Sequence, residues 1–227
     1  RSRRSGHAVS QHKRAIRCKL KRLMRQQCGH ARLGNGGKDR LHARNLDVAA
    51  ALALEELSLC GTTTVLRIGT AQPLAQNTKQ GDVVIATAGV KMDGTSSEYV
   101  VMEFPAVSNF EVTRTLVEEA EKQFGKGGYR LGIVEGRDVY TRRKDFDRTL
   151  VSGTCIYEKA LGRGNVLCSD METAAVLVVA RYLGIRAGSI NLVGSDAVLF
   201  ERCIELALTA LERLAQSESA EGACLLT

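Results

Sequence analysis

Two stretches of this chain put charged side chains where apolar ones would be expected, and their residue types could do chemistry. The first is Arg67-Ile68-Gly69-Thr70, in which an arginine stands within a β-branched, apolar run. A buried guanidinium needs an anion beside it. A planar five-donor cation, a glycine that lets backbone amides approach and a threonine hydroxyl together suit a phosphate, and an ion pair with a core carboxylate is the plainer alternative. The second stretch is Asp170-Met171-Glu172, at the head of the apolar run TAAVLVVA (173–180). Both acids could answer the free amides and the positive end of a helix. One acid suffices for that, so a sugar site is the other reading: a carboxylate accepts hydrogen bonds from a pair of ribose hydroxyls while the methionine lies under the ring.

These residues must be positioned by the elements around them. LDVAAALALEELSLCG (46–61) reads as a helix with Asp47 early and Gly61 as its stop. TTTVLRIGT (62–70) and GDVVIATAGV (81–90) read as buried strands, joined by a polar loop that begins with Pro73. NFEVTRTLVEEAEKQF (109–124) is amphipathic helix, and GYRLGIVEGRDVY (128–140) is a strand running into a loop. VLCSDM, a helix over 172–184, a strand over 185–195 and a helix over 200–216 complete the series. Such alternation, with strands that show little polar alternation, predicts a mostly parallel sheet covered on both faces. Ligands bind beyond the carboxyl ends of strands in sheets of that kind. Arg67 to Gln72, Gly136 to Arg143, Ser169 to Glu172 and Ser195-Asp196 all fall at such ends.

Charge divides the chain. Residues 1–45 carry a balance of +13 and the remainder −6, for a net +7 over 227 residues. All four histidines lie in the basic part, so histidine chemistry cannot come from the body. Residues 1–45 read as a basic, poorly ordered extension; a nucleic-acid arm is the alternative, although no interleaved aromatics accompany the cations. The body spans 46–216, and 217–227 reads as a mobile tail. Seven cysteines without a Cys-x-x-Cys pair indicate reduced thiols in a cytoplasm and no metal cage, with Cys18, Cys28 and His30 at a spacing that fits no common site. No apolar stretch approaches the roughly 20 residues that cross a bilayer, so the chain reads as soluble with no membrane partner.

RIGT (67–70), KQGDVVIAT (79–87), KMDGTSSEYVVMEFPAV (91–107), DVY (138–140) and SDMETAAV (169–176) together resemble the nucleoside phosphorylase superfamily, nearest its uridine phosphorylase branch. The resemblance runs in order over residues 46–215. It implies an α/β fold of three layers, with a mostly parallel or mixed central sheet flanked by helices. It also implies phosphorolytic cleavage of the N-glycosidic bond of a pyrimidine, uridine-like nucleoside to free base and ribose 1-phosphate.

Carried over position by position, Arg67, Gly69 and Thr70 would hold phosphate. Thr70, Asp170, Met171 and Glu172 would hold ribose, with Asp170 standing where the family usually has glutamate. Tyr140, Arg142 and Arg143 would meet the base. Arg67, Glu172 and Asp196 would carry catalysis, and Asp196, in Gly194-Ser195-Asp196, resembles the acid of the purine branch and of hydrolytic nucleosidases; a turn or cap acid is the other reading of it. No cofactor is implied beyond inorganic phosphate as co-substrate. The family assembles as dimers or hexamers, and 92–107 would lie at the contact. Purine phosphorolysis, hydrolysis, and a catalytically impaired nucleoside-binding homologue remain as alternatives.

The chain departs from the family pattern at named places. The opening strands and glycine-rich phosphate loop, with their second arginine, give way to the basic segment. Gln72 replaces a glycine, Glu98 replaces a histidine, and the segment after Asp196 is short.

Overall fold

The computed structural model describes residues 46–138 and 154–224, all within the unit Asn45–Thr227. The elements are α1 (Leu46–Leu59), β1 (Thr64–Pro73), β2 (Val83–Met92), α2 (Thr95–Tyr99), β3 (Ala106–Val107), α3 (Phe110–Phe124), β4 (Arg130–Arg137), α4 (Thr154–Arg163), β5 (Val166–Asp170), α5 (Thr173–Tyr182), β6 (Arg186–Val193) and α6 (Ala197–Cys224). The strands lie in the order β3-β2-β4-β5-β1-β6, and β6 returns to pair with β2. Five strands therefore close on themselves, with β3 added at the edge of β2.

The sheet is mixed. β2–β4, β4–β5 and β1–β6 are parallel, whereas β1–β5, β2–β6 and β2–β3 are antiparallel. The β1–β5 seam is two pairs long, Gln72 opposite Ser169 and Pro73 opposite Cys168. It brings the end of β1 and the end of β5 together from opposite directions. β4 adds Gly136 beside Asp170.

Helices cover the sheet on two sides. Val83 and Ile85 of β2 and Ile190 and Leu192 of β6 pack with Val112 and Leu116 of α3 and with Cys203, Leu206 and Ala210 of α6. Ala51 and Leu54 of α1 pack with α5, whose eight residues Thr173 to Ala180 are all buried. The intervening positions Val84, Ala86, Val134, Cys168 and Val193 form a third cluster. Burial of neighbouring residues on one strand is what removes polar alternation from these segments. In α3, Asn109 accepts a hydrogen bond from Val112 N (3.1 Å), and Gly125 ends the helix at φ +77°. The buried residues Val112, Thr115, Leu116, Glu119 and Ala120 follow the helical period. Glu119 reaches Lys122 at 2.7 Å and Arg213 of α6 at 3.0 Å, and these bonds hold its carboxyl below the usual range.

α5 approaches the sheet at two glycines. A Cβ on Gly136 would fall 2.6 Å from Ala174 Cβ and 2.8 Å from its backbone N, and one on Gly89 would fall 2.9 Å from Ala174 Cα. Gly136→Ala is therefore expected to push α5 outward at a cost of about 1–3 kcal/mol, measured by urea unfolding. Wild-type stability in that variant would contradict the packing.

Three acids gather where α1, α2 and β4 meet. Thr95 Oγ1 donates to Asp47, and Gly94 N donates to Asp138 at 2.8 Å. Asp93 accepts from Ser96 N at 2.6 Å and from its hydroxyl at 3.0 Å. Asp47, legible as an early helix acid, is buried and works as a tether. Burial raises Asp138 above the usual carboxylate range against the pull of Gly94 N–H, and Asp47 and Asp93 add to the rise. An acid whose folded pKa is raised stabilises the fold below its unfolded pKa and loses that contribution as pH climbs through the folded value. Asp138→Asn should therefore raise Tm near pH 8 and leave it little changed near pH 3, a contrast thermal melts can read directly.

The fold expected from sequence is the one observed, with differences in detail. α2 and β3, at five and two residues, are too short to leave a periodic pattern, and α4 adds to the expected series. β1 runs on to Pro73, and the backbone of α6 is helical through Cys224, past the expected boundary at 217. Among the described residues no helix is long and apolar enough to cross a membrane, and no acid, histidine and cysteine cluster could hold a metal.

Candidate active site

The two charged stretches converge. β1 carries Arg67 in register with Ser189 of β6, and Gly69 opposite Asn191. The guanidinium folds back over Gly69, where a Cβ would fall 2.4 Å from Nη2 and 2.6 Å from Cζ. Glycine there is a clearance for the arginine head.

From that position Arg67 meets residues of β5, α5 and β6. Nη1 lies 2.8 Å from Asp170 Oδ2 and donates to Asn191 Oδ1, while Nη2 donates to Glu172 Oε2. The Asp170 side chain is fully buried and accepts from Thr173 N (3.1 Å) and from the Thr173 hydroxyl. Asn191 Nδ2 donates to Ser189 Oγ at 3.1 Å, whose hydroxyl lies 3.0 Å from Thr173 Oγ1. Ser189 and Asn191 alternate along a strand otherwise apolar, Ser189-Ile190-Asn191-Leu192-Val193. That two-residue polar period is the signal for them in the sequence.

Electrostatics follow from burial and pairing. Burial pulls the Arg67 pKa down, but Asp170 and Glu172 outweigh it and hold the group above its usual value, so it remains a cation. Burial pushes the Asp170 carboxyl above the usual range against the pull of Arg67 and the Thr173 hydroxyl. Arg67 is thus a positive point between a fully buried carboxylate, Asp170, and a partly exposed one, Glu172. Thr70 is exposed one residue beyond Gly69, and Met171 and Glu172 are half-buried.

Asp170 and Asp196 each have structural partners. The Asp170 side chain turns inward, and its oxygens go to Arg67 and to the backbone N and hydroxyl of Thr173, the first residue of α5. Asp196 is exposed and accepts from Leu199 N at 2.9 Å, so it caps α6. Tyr140, Arg142 and Arg143 lie outside the described residues. Beside the site on β4, Glu135 is wholly buried with both carboxylate oxygens lacking a hydrogen bond. Arg137 Nη1 lies 3.7 Å from Glu135 Oε1 and reaches Glu158 of α4 at 3.1 Å.

A closed mixed sheet between helical layers, with Arg67 within β1 facing Met171-Glu172 beyond the end of β5, places the chain among α/β proteins. The model of the phosphorylase superfamily matches residues 27–217, and the chain belongs to that superfamily. A uridine phosphorylase of Thermococcus kodakarensis is 32% identical over 163 residues, covering 67% of this chain and 56% of its own length. A guanosine phosphorylase of Halorubrum lacusprofundi is 34% identical over 150 residues, covering 66% and 57%. The uridine phosphorylase of Escherichia coli is 34% identical over 149 residues, covering 63% and 57%. The chain thus spans little more than half the length of these curated relatives. A solved structure described as the P knowlesi homolog of P falciparum PNP superposes with a TM-score of 0.64 at 26% identity, covering 74% of this chain and 69% of its own.

Proposed function

We propose that this protein cleaves the N-glycosidic bond of a nucleoside with inorganic phosphate, releasing the base and ribose 1-phosphate, with uridine as the preferred substrate. The observation that carries the reading is the placement of the Arg67 cation between Asp170 and Glu172, next to exposed Thr70 and half-buried Met171. A phosphate oxygen attacks the anomeric carbon as the C–N bond breaks, and the bonding pair leaves with the base. No protein nucleophile is required. The chain positions the anion and stabilises charge that develops during transfer.

In this reading Arg67, Thr70 and the backbone at Gly69 hold the phosphate. Glu172 accepts the ribose hydroxyls, and Met171 lies against the sugar. Asp170 and Asn191 are positioning residues, since they fix the Arg67 fork. Tyr140, Arg142 and Arg143 are the proposed contacts to the base. Uridine comes first because uridine phosphorylases are prominent among the similar proteins, and the guanosine phosphorylase makes a purine the second choice. Release of base from uridine, inosine, guanosine and adenosine in the presence of phosphate tests the preference. Uridine should be fastest, and a faster purine would overturn the pyrimidine assignment.

We assign the protein to homo-oligomers as well. Val101 (70% exposed), Met102 (65%) and Phe110 (75%) stand on the segment around β3 and at the start of α3, where a second copy would cover them.

A further inference from the structure

We infer that Glu172 occupies the anion site until an oxyanion displaces it, so that phosphate and sugar binding are coupled through this one carboxylate. The inference rests on the phosphorolytic reading above and concerns the regulation of that site.

The three partners of Arg67 are not equivalent. Asp170 has a side chain with no exposure and two further hydrogen bonds from Thr173. Asn191 is wholly buried and donates to Ser189 at 3.1 Å and to Thr173 at 3.4 Å. Both are fixed by residues other than Arg67. Glu172 differs on each count: its side chain is 17% exposed, it stands at the N-cap of α5 without making a side-chain cap bond, and its described hydrogen bond is the one to Arg67 Nη2. Glu172 is the partner that can leave.

Charge makes its departure necessary. One guanidinium already faces two carboxylates, and an arriving phosphate adds negative charge on the same donors. Glu172 and phosphate compete for Nη2, because both are oxyanions of similar reach. Once displaced, the carboxylate is free to accept two hydrogen bonds from a vicinal diol. Conversely, a diol that draws Glu172 away uncovers Nη2. Such coupling is reciprocal by thermodynamic necessity: whatever factor the sugar adds to anion affinity, the anion adds to sugar affinity. The resting protein thereby carries its own stand-in for the anion, and the two substrates assist one another without a change of fold.

The test uses inorganic sulfate titrated calorimetrically into the full chain, since sulfate occupies an oxyanion site without completing the reaction. Uridine should tighten sulfate binding at least about fivefold, and 2′,3′-dideoxyuridine should not. Glu172→Gln should bind sulfate at least about fivefold more tightly than wild type with no nucleoside present, and uridine should add nothing further. Sulfate affinity unmoved by uridine in the wild type would overturn the inference, as would unchanged or weaker sulfate binding in Glu172→Gln, or no sulfate binding by either protein. If the variant fails to fold in a thermal melt, the wild-type titrations with the two nucleosides decide alone. Phosphorolysis without coupling would sink this inference and leave the proposed function standing. Coupling without phosphorolysis would do the reverse.

Discussion

Arg67→Ala is expected to lose phosphate-dependent cleavage by about 10²- to 10³-fold or more, and to destabilise the fold by about 3–5 kcal/mol. Both losses come from one contact set. Removing the guanidinium leaves Asp170 buried without its counter-charge and leaves Asn191 Oδ1 without that donor, while Glu172 loses its partner at the rim. Asp170 would answer partly by taking a proton, which burial already favours. Arg67→Lys separates the two effects. A lysine keeps one positive charge near Asp170 but cannot present a planar fork to Asp170, Asn191 and Glu172 together. It should recover most of the stability and little of the activity. Steady-state rates and urea unfolding of both variants read this out, and a fully active lysine variant would show that the fork is dispensable.

Gly69→Ala is the second large effect, and its logic is different because it leaves every charged group in place. The backbone at Gly69 is not left-handed, so alanine is tolerable there as a strand residue. Its Cβ would nevertheless fall 2.4 Å from Arg67 Nη2, inside any allowed separation. The guanidinium must move, and moving it breaks the hydrogen bonds that aim it. Displacements of about 1 Å in positioned groups cost roughly 10²-fold in rate, whereas overpacking costs about 1–3 kcal/mol in stability. A folded, soluble Gly69→Ala protein with activity down by roughly 10²-fold is the expected result. Wild-type activity would mean that the head of Arg67 can shift freely, against its three-partner geometry.

Much of this was legible in the residues, and the gaps have physical causes. Arg67 announced itself because a cation in a β-branched run is costly to bury, and Asp170-Met171-Glu172 because the helix start held one acid more than a cap needs. The structure divides those acids by burial: Asp170 turns inward to cap and pair, and Glu172 stays at the rim. Sequence cannot make that division, since both residues read as acceptors near a helix N-terminus. Asn191 and Ser189 leave a local trace, the polar period of two in β6, but their meeting with Arg67 depends on the β1–β6 register, which no local pattern encodes. The same holds for the clearance at Gly69, set by where the Arg67 side chain curls. Asp196, in a motif that reads as an acid or a cap, makes a cap bond to Leu199 N in the structure. Alternation of strand and helix predicts a mostly parallel sheet, and it does not reveal the antiparallel seams β1–β5 and β2–β6, which join strands distant in sequence.

The most direct test is phosphorus NMR of the full-length chain mixed with uridine and inorganic phosphate. A ribose 1-phosphate resonance growing in step with free uracil, absent without protein and absent in Arg67→Ala, is the predicted result. Free ribose and base released at a rate indifferent to phosphate, or no release from any nucleoside by a folded sample, would contradict it.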